Sequence, residues 1–226
     1  MIQQPIDHAD YKPLKASLDH DKINYRIIGS GSSGNCVIIN DLMFDIGLSF
    51  KKIHKYLYGV KYVLISHVHG DHLDIGTYHQ IRKKFPNIIL IGDLEVHEKA
   101  RMDIVAHPNE PIKLKTCTLT PFLAPHDVEV MGWTWQIDHK DLLYVTDTYS
   151  LENVPHHKYD YFFLEANHDQ HKVDAIMNED VKKYGYSAVD GSLRHMSTQD
   201  SKKFFYLNRK NKDSLWIRLH KSARFY

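Results

Sequence analysis

A short apolar run that ends in a dense group of histidines and aspartates is the most constraining feature of this sequence. Residues 62–65 are apolar and rich in β-formers, and the next seven residues include His67, His69, Asp71 and His72. Side chains two apart in an extended segment point to the same side, so His67 and His69 can bind one cation. Asp71 and His72 follow a turn and can face a second cation. Imidazole nitrogen with carboxylate oxygen favours zinc first, and manganese or iron next.

Several later segments repeat this arrangement, since each is a predicted strand that is followed by a residue able to bind a metal or carry a proton. These residues are His126, Asp147, Glu165 and His220. The ends of neighbouring strands meet at one edge of a sheet, which is where α/β proteins place their active sites. Strands alternate with helices, so the order predicts an α/β layered sandwich with two sheets back to back and helices outside.

The hydrophobic pattern also predicts individual elements. Strands are expected at residues 23–28, 36–39, 42–47, 62–65, 88–91, 133–137, 142–145, 161–164 and 215–219, with two more within 112–123. Helices are expected at 50–58, 74–85 and 198–208, with Ser49 as the N-cap of the first. The glycine-rich segment 29–35 has two interpretations, a turn beside the metal site or a loop that cradles a phosphate.

Length and composition indicate one globular domain. The chain has 226 residues, 42% of them hydrophobic, and a formal net charge of +1. We predict a single domain over residues 23–226 and a polar extension over 1–22, to which we assign no chemistry. Cys36 and Cys117 do not make a disulfide framework, and we find neither a leader peptide nor a membrane-length apolar run. We therefore expect a cytoplasmic protein, or one that acts in a host cytoplasm, and we expect that it does not enter the membrane.

Histidine is unusually frequent, with 17 residues in the chain. We interpret those in polar surroundings as solvated side chains, namely His79, His97, His107, His139, His156, His157 and His171. His168 has two interpretations, a residue that contacts a metal ligand or a side chain without a role.

Charge is distributed unevenly along the chain. Residues 194–226 carry nine Lys and Arg against two Asp, a net charge of +7, while the rest of the chain has a net charge of −6. A basic end on a slightly acidic body favours an anionic partner, although a solvated helix face explains the same charges. Aromatic residues among the basic ones are typical of surfaces that bind single-stranded nucleic acid, and they are equally typical of core residues.

The order and spacing of the histidines and aspartates resemble the metallo-β-lactamase fold over residues 23–226. The matching pattern is His67-x-His69-x-Asp71-His72, then His126, Asp147 and His220. The resemblance implies a four-layer αβ/βα sandwich that holds two divalent metal ions. It implies a first metal site made of His67, His69 and His126. It implies a second site made of Asp71, His72 and His220, with Asp147 between the two ions, where its charge offsets their repulsion.

Shorter motifs are similar to the YycJ/WalJ group of exonuclease-like proteins, which is related to RNase Z and RNase J. They are the segments 29–35, 125–127, 164–169, 194–197 and 219–224. This similarity implies Asp71, His195 and Glu165 as catalytic residues. His195 would protonate the leaving group, and Glu165 would orient His195. It also implies that Ser197 and Ser222 bind the phosphate.

Three functions remain open at this point. They are a nuclease or other phosphodiesterase, a small-molecule hydrolase of the glyoxalase II or lactonase type, and a binding protein without activity. Seven candidate ligands argue against the binding protein, which has no physical need for them. The His195-x-Ser197 motif and the basic segment favour phosphate, and therefore a nuclease. The sequence leaves open whether the substrate is DNA, RNA or a cyclic dinucleotide, and whether a nuclease would act from an end or within the strand. It also leaves the oligomeric state open.

Overall fold

Two six-stranded sheets dominate the computed structural model, which describes residues 23–179 and 194–222. The predicted extension 1–22 therefore lies outside the described residues. The first sheet contains, in spatial order, β1 (Tyr25–Gly29), β2 (Cys36–Ile39), β3 (Leu42–Phe44), β4 (Tyr62–Leu64), β5 (Ile89–Gly92) and β6 (Ile104–Val105). The second contains, from one edge to the other, β7 (Ile112–Lys113), β8 (Thr118–Ala124), β9 (Val130–Ile137), β10 (Lys140–Val145), β11 (Tyr161–Glu165) and β12 (Leu215–Leu219).

The helices of the described residues are short. They are α1 (Phe50–Ile53), which continues as a 3₁₀ helix (His54–Gly59), α2 (Ile75–Lys84), α3 (Leu94–Lys99), α4 (Gln170–Glu179) and α5 (Thr198–Asn208). Asp74 caps α2 by accepting a hydrogen bond from the Thr77 amide at 2.6 Å. Ser49 precedes α1 as predicted but makes no side-chain cap bond. Within the described part of the chain, no helix is both long and apolar enough to cross a membrane.

Parallel pairing brings the chemically important strand ends to one edge. β3, β4, β5 and β6 pair in parallel, and so do β10, β11 and β12, whereas the remaining pairs are antiparallel. The segments that follow β4, β10 and β12 carry His67, Asp147 and His220. Asp147 and His220 follow parallel strands of the second sheet and lie together at its edge, with Nδ1 of His220 at 3.2 Å from Oδ1 of Asp147. His67 follows a strand of the first sheet and meets them because the two sheets face each other, with its Nε2 atom 3.7 Å from Oδ2 of Asp147.

Three apolar clusters separate the layers. The middle cluster lies between the sheets, where Phe44 stacks on Tyr144 with ring centroids 4.1 Å apart. Met43, the next residue in β3, faces the other way and packs with Ile81 of α2. On the outer face of the second sheet, Phe162 packs against Phe205 of α5. The predicted αβ/βα sandwich of four layers is therefore confirmed.

Candidate metal centre

All seven predicted metal ligands converge at the shared edge of the two sheets, in two groups. The first group contains His67, His69 and His126, and the second contains Asp71, His72, Asp147 and His220. Within each group the ligand atoms lie within 4.8 Å of one another. They agree with the two sets that the resemblance implies, except that Asp147, implied to lie between the ions, groups with the second set. The role of these residues as metal ligands stays a prediction.

Asp147 lies between the two groups. Its Oδ2 atom is 3.7 Å from Nε2 of His67 and 3.1 Å from Nε2 of His72. Burial alone would raise the pKa of Asp147, but His72 and His220 hold this pKa well below its usual range. Asp147 also has a φ of 52°, in the left-handed region that few residues other than glycine adopt. The fold therefore holds a charged carboxylate in a strained position between two sets of imidazoles.

Two buried residues behind the histidines orient the imidazole rings. Oδ2 of Asp45 lies 2.8 Å from Nδ1 of His72. Oγ of Ser66 lies 2.9 Å from Nδ1 of His67 and 3.1 Å from Nδ1 of His72. Because Nδ1 is held in both rings, Nε2 is the atom turned towards Asp147. Neither Asp45 nor Ser66 was predicted, although Asp45 directly follows β3 and has the strand-end position used to identify the other residues.

The electrostatics of the centre suit a cation. Burial alone would lower the pKa of His72 and His220, yet Asp147 opposes it and raises the pKa of His72 well above its usual range and that of His220 to about 10. Nε2 of His220 is buried, has no hydrogen-bond partner among the described residues, and faces Oδ2 of Asp71 at 3.8 Å. A metal ion would satisfy this orphaned nitrogen. The residues present therefore fit divalent cations.

Asn35 ties the glycine-rich loop to the same centre. Its backbone amide donates to the Asp71 carbonyl oxygen at 2.7 Å, and its side-chain oxygen accepts from the Gly31 amide at 2.7 Å. Any side chain at Gly47 would collide with that Asp71 carbonyl, so only glycine fits there. The loop is thus a turn beside the centre. The side-chain nitrogen of Asn35 lies 2.7 Å from Nε2 of His72. For a metal ion to bind this Nε2 atom, the Asn35 side chain has to move aside.

Glu165 holds two imidazoles at once. Its Oε1 atom lies 2.6 Å from Nδ1 of His195 and 3.0 Å from Nδ1 of His220, while Oε2 accepts a hydrogen bond from the Thr148 amide at 2.8 Å. Burial would raise the pKa of Glu165, but hydrogen bonds from His195 and His220 keep the pKa below its usual value. The predicted contact between Glu165 and His195 is present. The contact with His220 was not predicted.

Three further residues that the sequence singled out belong to neither group of ligand atoms. The buried Ser197 hydroxyl caps α5, because it accepts from the Asp200 amide at 3.0 Å and donates to the Asp200 carboxylate at 2.7 Å. The Ser222 amide donates to the Asn167 carbonyl at 2.7 Å. His168 is buried, with Nε2 at 3.2 Å from the Gln170 side-chain oxygen. A phosphate contact by either serine stays a prediction.

The two groups open into one pocket of about 190 Å³. It is lined by Ser32, His69, Asp71, His126, Asp127, Asp147, Arg194, His195 and His220. Asp127 and Arg194 were not predicted as site residues. In the described part of the chain, none of the seven histidines interpreted as solvated belongs to a group of closely spaced ligand atoms.

Comparison with known proteins identifies the fold. No family model matches the sequence, and neither does any curated protein. YhfI of Bacillus subtilis, a metallo-β-lactamase fold protein, matches with a TM-score of 0.65 and 15% identity, over 89% of this chain and 87% of YhfI. The short form of human tRNase Z (ELAC1) matches with a TM-score of 0.62 and 13% identity, over 88% of this chain and 93% of that chain.

A diphosphatase of the PhnP family also matches, with a TM-score of 0.62 and 16% identity, over 89% of this chain and 87% of that chain. Identities this low show a common fold. The similarity to the YycJ/WalJ group stays a prediction. The chain has two facing sheets with helices outside, and it agrees with these solved structures over most of its length. It therefore has the metallo-β-lactamase fold.

Proposed function

We propose that the protein is a metal-dependent hydrolase that cleaves phosphodiester bonds, with nucleic acid as its substrate. One observation carries this proposal: two groups of candidate ligand atoms lie on either side of the Asp147 carboxylate and open into the same pocket as His195, which Glu165 holds. Divalent cations at such a centre act as Lewis acids and lower the pKa of water. The imidazole-rich first group favours zinc, with manganese as the second choice.

His195 is suited to protonate a leaving group. Its side chain is 17% exposed and lines the pocket. Since Nδ1 is held by Glu165 at 2.6 Å, Nε2 is the atom that can deliver a proton to the substrate. An alkoxide leaving group needs such a proton, because it is a strong base. Glu165 then serves as the positioning residue, and Asp71 as a ligand of the second group.

The structural neighbours support phosphate chemistry. Two of the three carry the names of enzymes that act on phosphate compounds, a tRNase Z and a diphosphatase. A small-molecule hydrolase on the same fold is the alternative, and the choice between the two rests on an assay.

An activity panel tests the proposal. The purified protein, loaded with zinc or manganese, is assayed on labelled single- and double-stranded DNA, RNA and cyclic dinucleotides. We expect hydrolysis that a chelator abolishes and added metal restores, because the pocket residues alone supply no Lewis acid. Hydrolysis of a thioester or lactone by the loaded protein, with none of any phosphodiester, would contradict the proposal and favour the alternative.

Basic residues on α5 and at its end support a polymeric substrate. Lys202 and Lys203 are exposed on this helix, and Arg209 at its end lies over the ring of Tyr206, 4.8 Å from the centroid. We call Lys202, Lys203 and Arg209 the basic surface. Lys210 is left out of this surface, because its amine forms ion pairs with Asp141 of β10 at 2.8 Å and with Asp160, just before β11, at 3.1 Å.

Replacing all three residues of the basic surface by glutamine should make nucleic-acid binding less sensitive to salt. Binding releases fewer counterions for each phosphate contact that the variant loses. The magnitude of the slope of log K against log salt should therefore fall by up to about 2 for a single strand. Binding is measured by fluorescence anisotropy over a salt series, and hydrolysis of bis-p-nitrophenyl phosphate, measured in parallel, reports on the metal centre alone.

The matched control removes three exposed lysines from the opposite outer layer, Lys51, Lys52 and Lys55. This control should keep the parent slope. If both triple variants bind DNA and RNA like the parent at every salt concentration, the basic surface is only a solvated face.

A further inference from the structure

We propose that Arg194 binds a second phosphate of the substrate, next to the one that is cleaved, and that Asp127 competes with the substrate for Arg194. The inference rests on the proposed function, because it specifies which phosphodiesters the same pocket prefers. Substrates with a phosphate beside the scissile bond, such as a nucleic-acid strand or a phosphorylated dinucleotide, would be favoured over an isolated diester.

The charges around the pocket are the first observation. Among its described lining residues, Asp71, Asp127 and Asp147 are acidic and Arg194 is the one permanent cation. The Arg194 side chain is 55% exposed, whereas that of Asp147 is 3% exposed. The Arg194 guanidinium therefore lies at the mouth of the pocket, and the Asp147 carboxylate lies at its base. A phosphate cleaved at the base leaves its neighbour at the mouth.

The second observation is how Arg194 is held. Its carbonyl oxygen lies 3.2 Å from Nδ1 of His126, so the backbone is anchored to a residue of the first metal-binding group. The guanidinium donates a hydrogen bond to Oδ2 of Asp127 at 2.7 Å. A long side chain on an anchored backbone can exchange one anion for another without moving the metal-binding residues.

The third observation is the position of Asp127. Its Oδ1 atom lies 3.0 Å from Nε2 of His126 and 3.6 Å from Nε2 of His69, while Oδ2 receives the Arg194 guanidinium. The carboxylate thus spans the gap between the imidazoles and the cation. A phosphate presents a similar pair of anionic oxygens, which matches a guanidinium as well as a carboxylate does. Asp127 therefore holds the Arg194 guanidinium, which is the group that a substrate phosphate would bind.

Three thymidine dinucleotides test the proposal, one without a terminal phosphate, one with a 5′-phosphate and one with a 3′-phosphate. We expect the parent to prefer at least one phosphorylated form. Arg194→Gln should reduce this preference by about tenfold, mainly through KM, because a charge-assisted contact is lost. Arg194→Lys should retain part of it. Arg101→Gln, which removes an exposed arginine outside the pocket, should keep the parent preference.

Equilibrium binding provides a second readout that does not depend on turnover. Dinucleotides with an uncleavable methylphosphonate linkage are titrated by calorimetry into the same variants. Arg194→Gln should weaken binding of the preferred phosphorylated form by about tenfold, and Asp127→Asn should strengthen it several-fold with metal content unchanged.

Equal losses on all three dinucleotides in Arg194→Gln would overturn the role of Arg194. Loss of metal in Asp127→Asn would overturn the competition and make Asp127 a metal ligand. If the parent hydrolyses no phosphodiester of the activity panel but binds the phosphorylated dinucleotides through Arg194, the proposed function fails while the phosphate contact of Arg194 stands.

Discussion

Asp147→Asn is expected to abolish phosphodiester hydrolysis while the fold survives. The substitution keeps the size of the side chain but removes the charge that lies 3.1 Å from Nε2 of His72 and 3.7 Å from Nε2 of His67. We expect kcat/KM to fall at least about 10³-fold, which corresponds to roughly 4 kcal/mol of transition-state stabilisation. Steady-state kinetics measure the loss, and circular dichroism reports on the fold.

Asp138→Asn is the matched control for this variant. Asp138 is an exposed turn residue with a φ of 50°, close to the 52° of Asp147, so both substitutions place asparagine in the same backbone conformation. Asparagine tolerates that conformation well. A control that keeps full activity assigns the loss in Asp147→Asn to the missing charge. If Asp147→Asn itself kept parental activity, Asp147 would have no role between two metal ions.

His195→Ala is expected to lower kcat roughly 10²- to 10⁴-fold, which is typical of a lost general acid. The metal content of the variant should not change, because His195 is predicted to donate a proton to the leaving group and not to bind metal. The defect should be much smaller for bis-p-nitrophenyl phosphate, since its leaving phenolate is stable without a proton. Rates on both substrates and elemental analysis of the variant check this prediction.

His157→Ala removes an exposed histidine outside the centre and is the control for His195→Ala. The structure also allows His195 to be a metal ligand, because its ring nitrogens lie within 4.8 Å of ligand atoms of Asp147, Glu165 and His220. Loss of metal in His195→Ala, with equal defects on both substrates, would make His195 a ligand of this group.

The candidate metal ligands that the structure brings together could be identified from the sequence because their spacing is local. Four of them lie within six residues after one strand, and the other three lie within two residues of a strand end, so strand ends pointed to these positions. Their division between two metal sites is what the family resemblance implies. The same reasoning gave the bounds of α5 (Thr198–Asn208) and β12 (Leu215–Leu219) as the structure has them. Short elements such as α3 and β6 were missed, because so few residues show no clear period.

The residues that support the centre were missed. Asp45 follows β3 in the structure, but the strand predicted over residues 42–47 extends past it. Asp45 contacts His72 across 27 positions of sequence, and Asp127 contacts Arg194 across 67. Only the fold brings such pairs together, and an aspartate alone carries no signal of its partner. Ser197 illustrates the opposite case. Its motif predicts a phosphate contact, which stays a prediction, whereas the role of its hydroxyl as the cap of α5 is visible only in the structure.

The number of metal ions per chain tests the central claim most directly. Protein purified without chelator is analysed for metals by mass spectrometry, with protein concentration determined independently. The two groups of ligand atoms predict close to two transition-metal ions per chain, zinc first and manganese next. A fully folded protein that contains no metal, and that binds neither zinc nor manganese when titrated, would contradict the account.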